Sequence, residues 1–235
     1  MNEAFMPINE IIARLESSAS AERKEHSKGY FPTSMEVVGV SVPNLRVLVK
    51  DIGMQIKDRS PDVVLPYAMG IIRTGIFECR QIGYEIIAGH RETMESLGIG
   101  DLNNLGEGMD NWASVDTFSV MISGPTWREG RVPDRSIVAW TRSKNPWWRR
   151  AAVVSTVALN SKARGGTGDP ERTIDICSRV IGDRHPMVTK ALSWAIRELT
   201  KRDIDRVESF LSTHRDTIAP LVIREVRKKI DTGRK

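Results

Sequence analysis

The chain has 235 residues, 40% of them hydrophobic, and 35 Lys and Arg against 30 Asp and Glu give it a net charge of +5. That length supports one large domain or two small ones with a sizeable core. No run of about 18 apolar residues offers a membrane span, and the first residues lack the basic start and apolar stretch of a signal peptide.

Only two cysteines are present, Cys79 and Cys177, far apart and in no metal-ligand spacing. They exclude a disulfide framework and structural zinc, and they read as reduced core thiols of a cytoplasmic protein.

Taken along the chain, apolar residues recur at three and four in Ile11, Ile12 and Leu15 and again in Leu45, Leu48, Val49 and Ile52, which predicts helices. The run 37–42 resembles a short strand, but it reads better as an irregular connection ending in a helix start at Ser41-Val42-Pro43. Ser60-Pro61, Asn145-Pro146, Asp169-Pro170 and, less ideally, His185-Pro186 each place a capping side chain before proline at the first helical position. A third apolar stripe runs through Val153, Val154, Val157 and Leu159. Period-2 strands are absent, so the fold class is all-α. The stretch 162–169 is glycine-rich, yet it lacks the Gly-Lys-Ser/Thr ending of a phosphate loop and no strand precedes it, so it reads as a helix–helix loop. No boundary stands out, and residues 1–235 read as a single domain.

The helices come in pairs with a loose period. Residues 146–152 align with 186–192 at an offset of 40 residues, which sets Lys190 on Arg150, and 78–83 read as a third copy. Two helices per 35–40 residues is the signature of a HEAT-like solenoid, curved, with equivalent helices lining a concave face. Such stacking would bring together residues far apart in sequence.

Four residues on three predicted helices draw attention: Trp112 and Asp116, Arg150, and Trp194. Trp112 and Asp116 are four apart and therefore share a helix face. A carboxylate beside an indole suits a site that holds a cation or a developing positive charge. The charge excess is mild and permits a nucleic-acid partner without demanding one. Basic residues gather in the C-terminal half, at Arg142, Lys144, Arg149 and Arg150, at Lys162 and Arg164, and in the tail at Arg224, Arg227, Lys228, Lys229, Arg234 and Lys235. Trp147 and Trp148 read as packing residues. His26, His90, His185 and His214 lack metal spacing and read as structural.

Residues 39–46, 112–116, 148–152 and 190–198, in that order and at those separations, resemble the AlkD-type family of DNA alkylation repair proteins over most of the chain. Typical members carry Trp-Trp-Asp-Ser-Val-Asp; here Asn111 stands for the first Trp and Ala113 for the first Asp. The resemblance implies a HEAT-like-repeat, monofunctional, metal-independent glycosylase that hydrolyses the N-glycosidic bond of cationic N3- and N7-alkylated purines. It implies Asp116 as the carboxylate at the sugar, with Trp112 and Trp194 as aromatic faces against it. Arg150 would take a flanking phosphate, and Arg149, Lys190, Lys144, Lys162 and Arg164 complete the expected DNA-binding set. No metal and no cofactor are expected. The partner would be double-stranded DNA containing alkylated purines, bound by a monomer in the cytoplasm at the nucleoid, with no membrane contact. Two further readings stay open: a HEAT-like protein that binds distorted or branched DNA without catalysis, and a protein–protein scaffold.

Overall fold

A computed structural model describes residues 5–233. Met1, Asn2, Glu3 and Ala4, at the start of the segment read for a signal peptide, and the tail cations Arg234 and Lys235 lie outside the described residues. The described chain is all-α. Among the described residues no strand forms; two isolated bridges, Ala19 with Val40 and Glu36 with Ile76, are the only β pairing. No described helix is long and apolar enough to cross a membrane.

Contacts group the chain into two compact units, one reaching Thr117 and the other starting at Phe118. The first holds α1 (Ile8–Ser17), α2 (Ala21–Tyr30), α3 (Val42–Ile56), α4 (Pro61–Ile72), α5 (Phe77–Gly89), α6 (Arg91–Ser96) and α7 (Ile99–Gly106). Helix α8 (Trp112–Phe118) contains the division between the units. The predicted stripe on α1 buries Ile11 and Leu15, and that on α3 buries Leu45, Leu48 and Ile52. Ser41 caps α3 by accepting from the Asn44 amide, with Pro43 in the first turn, as the sequence predicts. Ser60 stands at the N-cap of α4 but accepts no capping bond.

The 37–42 run is an irregular connection held by a buried carboxylate. Glu78 is 3% exposed, and its oxygens accept from the amides of Val38, Gly39 and Val40 at 3.0, 2.7 and 3.2 Å. A buried charge is tolerable when donors of this kind solvate it. Gly39 has φ of +92°, and a Cβ there would stand 2.7 Å from the Ser20 carbonyl, so only glycine fits this crossing. On the other side of α5, buried Arg80 donates to the carbonyls of Leu105 and Glu107 at 3.3 and 2.9 Å. It thereby satisfies the open C-terminal end of α7 just before the chain turns into α8.

The second unit holds a π-helical turn (Ser119–Ser123), α9 (Gly124–Arg128), α10 (Asp134–Thr141), α11 (Pro146–Asn160), a 3-10 turn (Lys162–Arg164), α12 (Pro170–Arg179), α13 (Pro186–Leu199), α14 (Ile204–Thr213) and α15 (Pro220–Thr232). Helix α11 packs on α13, and α13 on α15; α10 and α12 lie against α11, and α12 and α14 against α13. The 40-residue echo between Arg150 and Lys190 thus falls on two adjacent helices of one layer. The two copies also start alike. Asn145 accepts from the Trp147 amide at 2.9 Å, and His185 Nδ1 accepts from the Met187 amide at 3.3 Å, each before a proline. Asp169 caps α12 in the same way through the Arg172 amide. Every residue of α11 from Arg150 to Asn160 is buried, so this helix is the core of its unit.

Cys79 and Cys177 are free and buried. His90 and His185 cap helices, and His214 lies 3.4 Å from the Ser178 hydroxyl.

Candidate functional site

Helix α8 carries the first two candidates, both half-buried: Trp112 at its first residue and Asp116 one turn later. Trp112 is set by the end of α2. Its Nε1 donates to the Tyr30 carbonyl at 3.2 Å, and its ring takes edge contacts from Tyr30 at 5.1 Å and Phe31 at 6.4 Å. Phe31 is buried against Phe77 at 4.4 Å, so this support is anchored in the core, while Tyr30 is 59% exposed. A carboxylate and a tethered indole on one helix face, both reachable from solvent, can hold a cation between charge and ring quadrupole.

In the second unit the π turn leads directly into α9. The wider winding of the π turn accommodates close approach to α11. Gly124 lies so near that a Cβ would stand 2.6 Å from both Ala158 Cβ and the Ser155 carbonyl.

Arg150 is 5% exposed, and its Nη1 donates to the Met187 carbonyl at 2.5 Å. That bond joins α11 to the first turn of α13. Arg149 is committed elsewhere. It pairs with Asp183 at 2.6 Å and donates to the carbonyls of Ser143 and Lys144 at 2.9 and 3.1 Å. It therefore braces the loop that leads into α11. Trp148 packs with Trp140 at 4.9 Å and Phe118 at 6.2 Å, and Trp147 lies beside His185 at 6.3 Å; both do the packing the sequence predicts.

On α13, Lys190 is exposed and Trp194 half-buried. Beside Trp194, Ser193 Oγ donates to Glu225 at 2.5 Å, and Arg197 donates to Ser193 Oγ at 3.2 Å. Arg142 and Lys144 are exposed on the loop before α11, and Lys162 and Arg164 on the 3-10 turn after it. The glycine-rich loop is pinned by its backbone. Arg128 takes the Arg164 carbonyl at 2.7 Å and Arg202 the Gly166 carbonyl at 2.6 Å.

The predicted residues fall into two sets. Trp112 and Asp116 share α8 in the first unit. Arg149, Arg150, Lys144, Lys162, Arg164, Lys190 and Trp194 belong to the second, with Arg150 bonded to the helix that carries Lys190 and Trp194. The sequence reading missed the aromatic support of Tyr30 and Phe31, and it noted Asn111 only as a departure from the family motif, with no role for it or Asp110 at the entry to α8. Only the Asp-Asn pair before Trp112, a helix-start signal, was there to find. Among the described residues no group of three or more His, Cys, Asp or Glu side chains is placed to hold a metal ion.

The family model described as DNA alkylation repair enzyme matches residues 11–230. A solved structure described as a predicted DNA alkylation repair enzyme from Enterococcus faecalis matches with a TM-score of 0.73, over 92% of this chain and 98% of that chain, at 15% sequence identity. That likeness is one of fold. No curated protein matches.

Proposed function

We propose, for a chain that belongs to the DNA alkylation repair enzyme family, that it excises cationic N3- and N7-alkylated purines from duplex DNA by hydrolysing the N-glycosidic bond. Membership places the chain in DNA alkylation repair, with DNA as its substrate. The observation that carries the finer reading is the pairing of Asp116 with the tethered Trp112 on one face of α8.

An alkylated purine already bears positive charge and leaves readily. The demand on the protein lies at the sugar, which gains oxocarbenium character as the bond breaks, as in glycoside hydrolysis. Asp116 supplies the opposing charge and orients or deprotonates the attacking water. The bond between C1′ and the base nitrogen breaks, its electron pair neutralises the base, and water adds to C1′ and loses a proton. Trp112 presents its face to the sugar cation. The leaving group needs no Lewis acid, so the reaction is metal-independent.

In the second unit we assign Trp194 to an aromatic contact with DNA and Arg150 to a phosphate, held in place by the Met187 carbonyl, where guanidinium geometry suits an oxyanion. Exposed Lys144, Lys162, Arg164 and Lys190 supply the charge that binds the backbone. Arg149, paired with Asp183, enters as the residue that holds the Lys144 loop. We read the layering of α10–α15 as HEAT-like repeats and the protein as a monomer.

The test is release of free base from duplex DNA carrying N7-methylguanine, with and without EDTA. The reading requires release at the same rate in both. Tight, salt-dependent duplex binding with no release would replace it by non-catalytic DNA recognition.

A further inference from the structure

The entry into α8 is fixed by polar residues from two segments far apart in the chain. Asn111 stands directly before α8 and is fully buried. Its Oδ1 accepts from the Ser114 amide at 2.8 Å, the bond of a helix N-cap. Its Nδ2 donates to Asp110 Oδ1 at 3.2 Å and Thr33 Oγ1 at 3.3 Å. Asp110 in turn accepts from Thr33 Oγ1 at 2.5 Å, from the Ser34 amide at 2.5 Å and from Ser34 Oγ at 2.6 Å.

The partners on the other side follow α2 immediately. Thr33 and Ser34 lie just beyond Tyr30, whose carbonyl receives the Trp112 indole N–H. One short segment, 30–34, therefore grips Trp112 at both ends. Tyr30 takes the far end of the indole, and Thr33, through Asn111 and Asp110, takes the backbone from which it projects. A buried amide bonded in three directions has one rotamer, so the first turn of α8 has one direction and one register. Asp116, one turn further on, inherits both.

We propose that Asn111 and Asp110 are positioning residues for excision, setting the Trp112 indole and the Asp116 carboxylate without themselves touching DNA. The proposal rests on the reading of those two residues as catalytic. Preorganised charge loses its effect when displaced, and a shift of about 1 Å costs on the order of 10²-fold.

The experiment measures three quantities on the full chain: single-turnover release of N7-methylguanine, Kd for undamaged duplex, and the Trp112 indole ¹⁵N–¹H resonance, assigned by its loss in Trp112→Phe. In Asn111→Ala the rate should fall about tenfold or more and the indole resonance should shift, while duplex Kd stays within about twofold. Asn111→Ser, which restores a capping acceptor, should recover most of the rate. If Asn111→Ala does not fold, Asp110→Asn decides with the same expected split, since it replaces one acceptor oxygen by a donor and keeps the shape. Wild-type rates with an unmoved indole resonance would overturn the proposal, as would losses in rate and duplex binding of equal size. If wild type releases no base, the excision reading fails separately. The indole then decides for the clasp: a shifted resonance upholds it as the element that sets Trp112, and an unmoved one overturns it.

Discussion

The hydroxyls of Ser123 and Ser155 lie 2.7 Å apart where the π turn meets α11, and the next residue, Gly124, leaves no room for a side chain against Ala158. The π turn and α11 are locked by that contact. Gly124→Ala forces a Cβ into the Ser155 carbonyl and the Ala158 methyl, neither of which can move without shifting buried backbone. The expected cost is about 1–3 kcal/mol, the usual penalty of overpacking, read as a lowered urea midpoint at unchanged slope. Stability equal to wild type would contradict the close crossing.

The exposed cations should act through charge alone. Single replacement of Lys144, Lys162, Arg164 or Lys190 by Ala should weaken duplex binding for any sequence and reduce the slope of log K against log salt by about 0.9 where the residue meets a phosphate. Arg150→Ala should do this and also destabilise the fold by about 1–3 kcal/mol, because it removes a buried side chain and its bond to the Met187 carbonyl. A salt titration beside a thermal melt separates the two effects. Arg149→Ala should lower stability with little change in salt slope, since its guanidinium is taken up by Asp183.

Asp110 makes an acid-side prediction. Burial pushes its pKa up, but the bonds from Ser34, Thr33 and Asn111 outweigh that and hold the carboxyl below its ordinary value of 3.8. A group with a depressed folded pKa contributes stability that is present above the unfolded value and lost as pH falls through the folded one. The stability difference between wild type and Asp110→Asn should therefore be full at pH 7 and shrink below about pH 3.8. Urea midpoints across that range measure it, and a difference independent of pH would remove the carboxylate from this role.

The two thiols should be inert in the folded protein. Burial raises Cys79 to about 11 and pushes Cys177 up further, so neither forms thiolate at neutral pH and reagent cannot reach either. A disulfide-exchange reagent at pH 8 should titrate no thiol in native protein and two in urea. Rapid reaction of one thiol before unfolding would show a local opening.

Much of the fold was legible because local rules governed it. Capping residues before proline marked the starts of α3, α11, α12 and α13, and the apolar spacings marked the inner faces of α1, α3 and α11. The echo between Arg150 and Lys190 marked two neighbouring helices. The π turn was not legible, because a helix that widens keeps the same residue types and nearly the same apolar period. Nor was the commitment of Arg149 to Asp183, since a cation on a helix face reads the same whether it faces water, phosphate or a partner 34 residues away. At the candidate site the spacing of Trp112 and Asp116 was readable from the sequence. The clasp of Asp110 and Asn111 on Thr33 was not, because it joins segments 77 and 78 residues apart and no periodicity reports such a pairing.

The central claim is that the Asp116 carboxylate stabilises the sugar cation, and Asp116→Asn tests it by removing the charge while keeping the shape. Single-turnover release of N7-methylguanine at saturating protein should fall by about 10²-fold or more. Duplex binding should hold or strengthen slightly as a repulsion with phosphate is lost. Trp112→Ala and Trp194→Ala should each cost less, about 0.5–2 kcal/mol in the same assay. Equal release rates for wild type and Asp116→Asn would contradict the account.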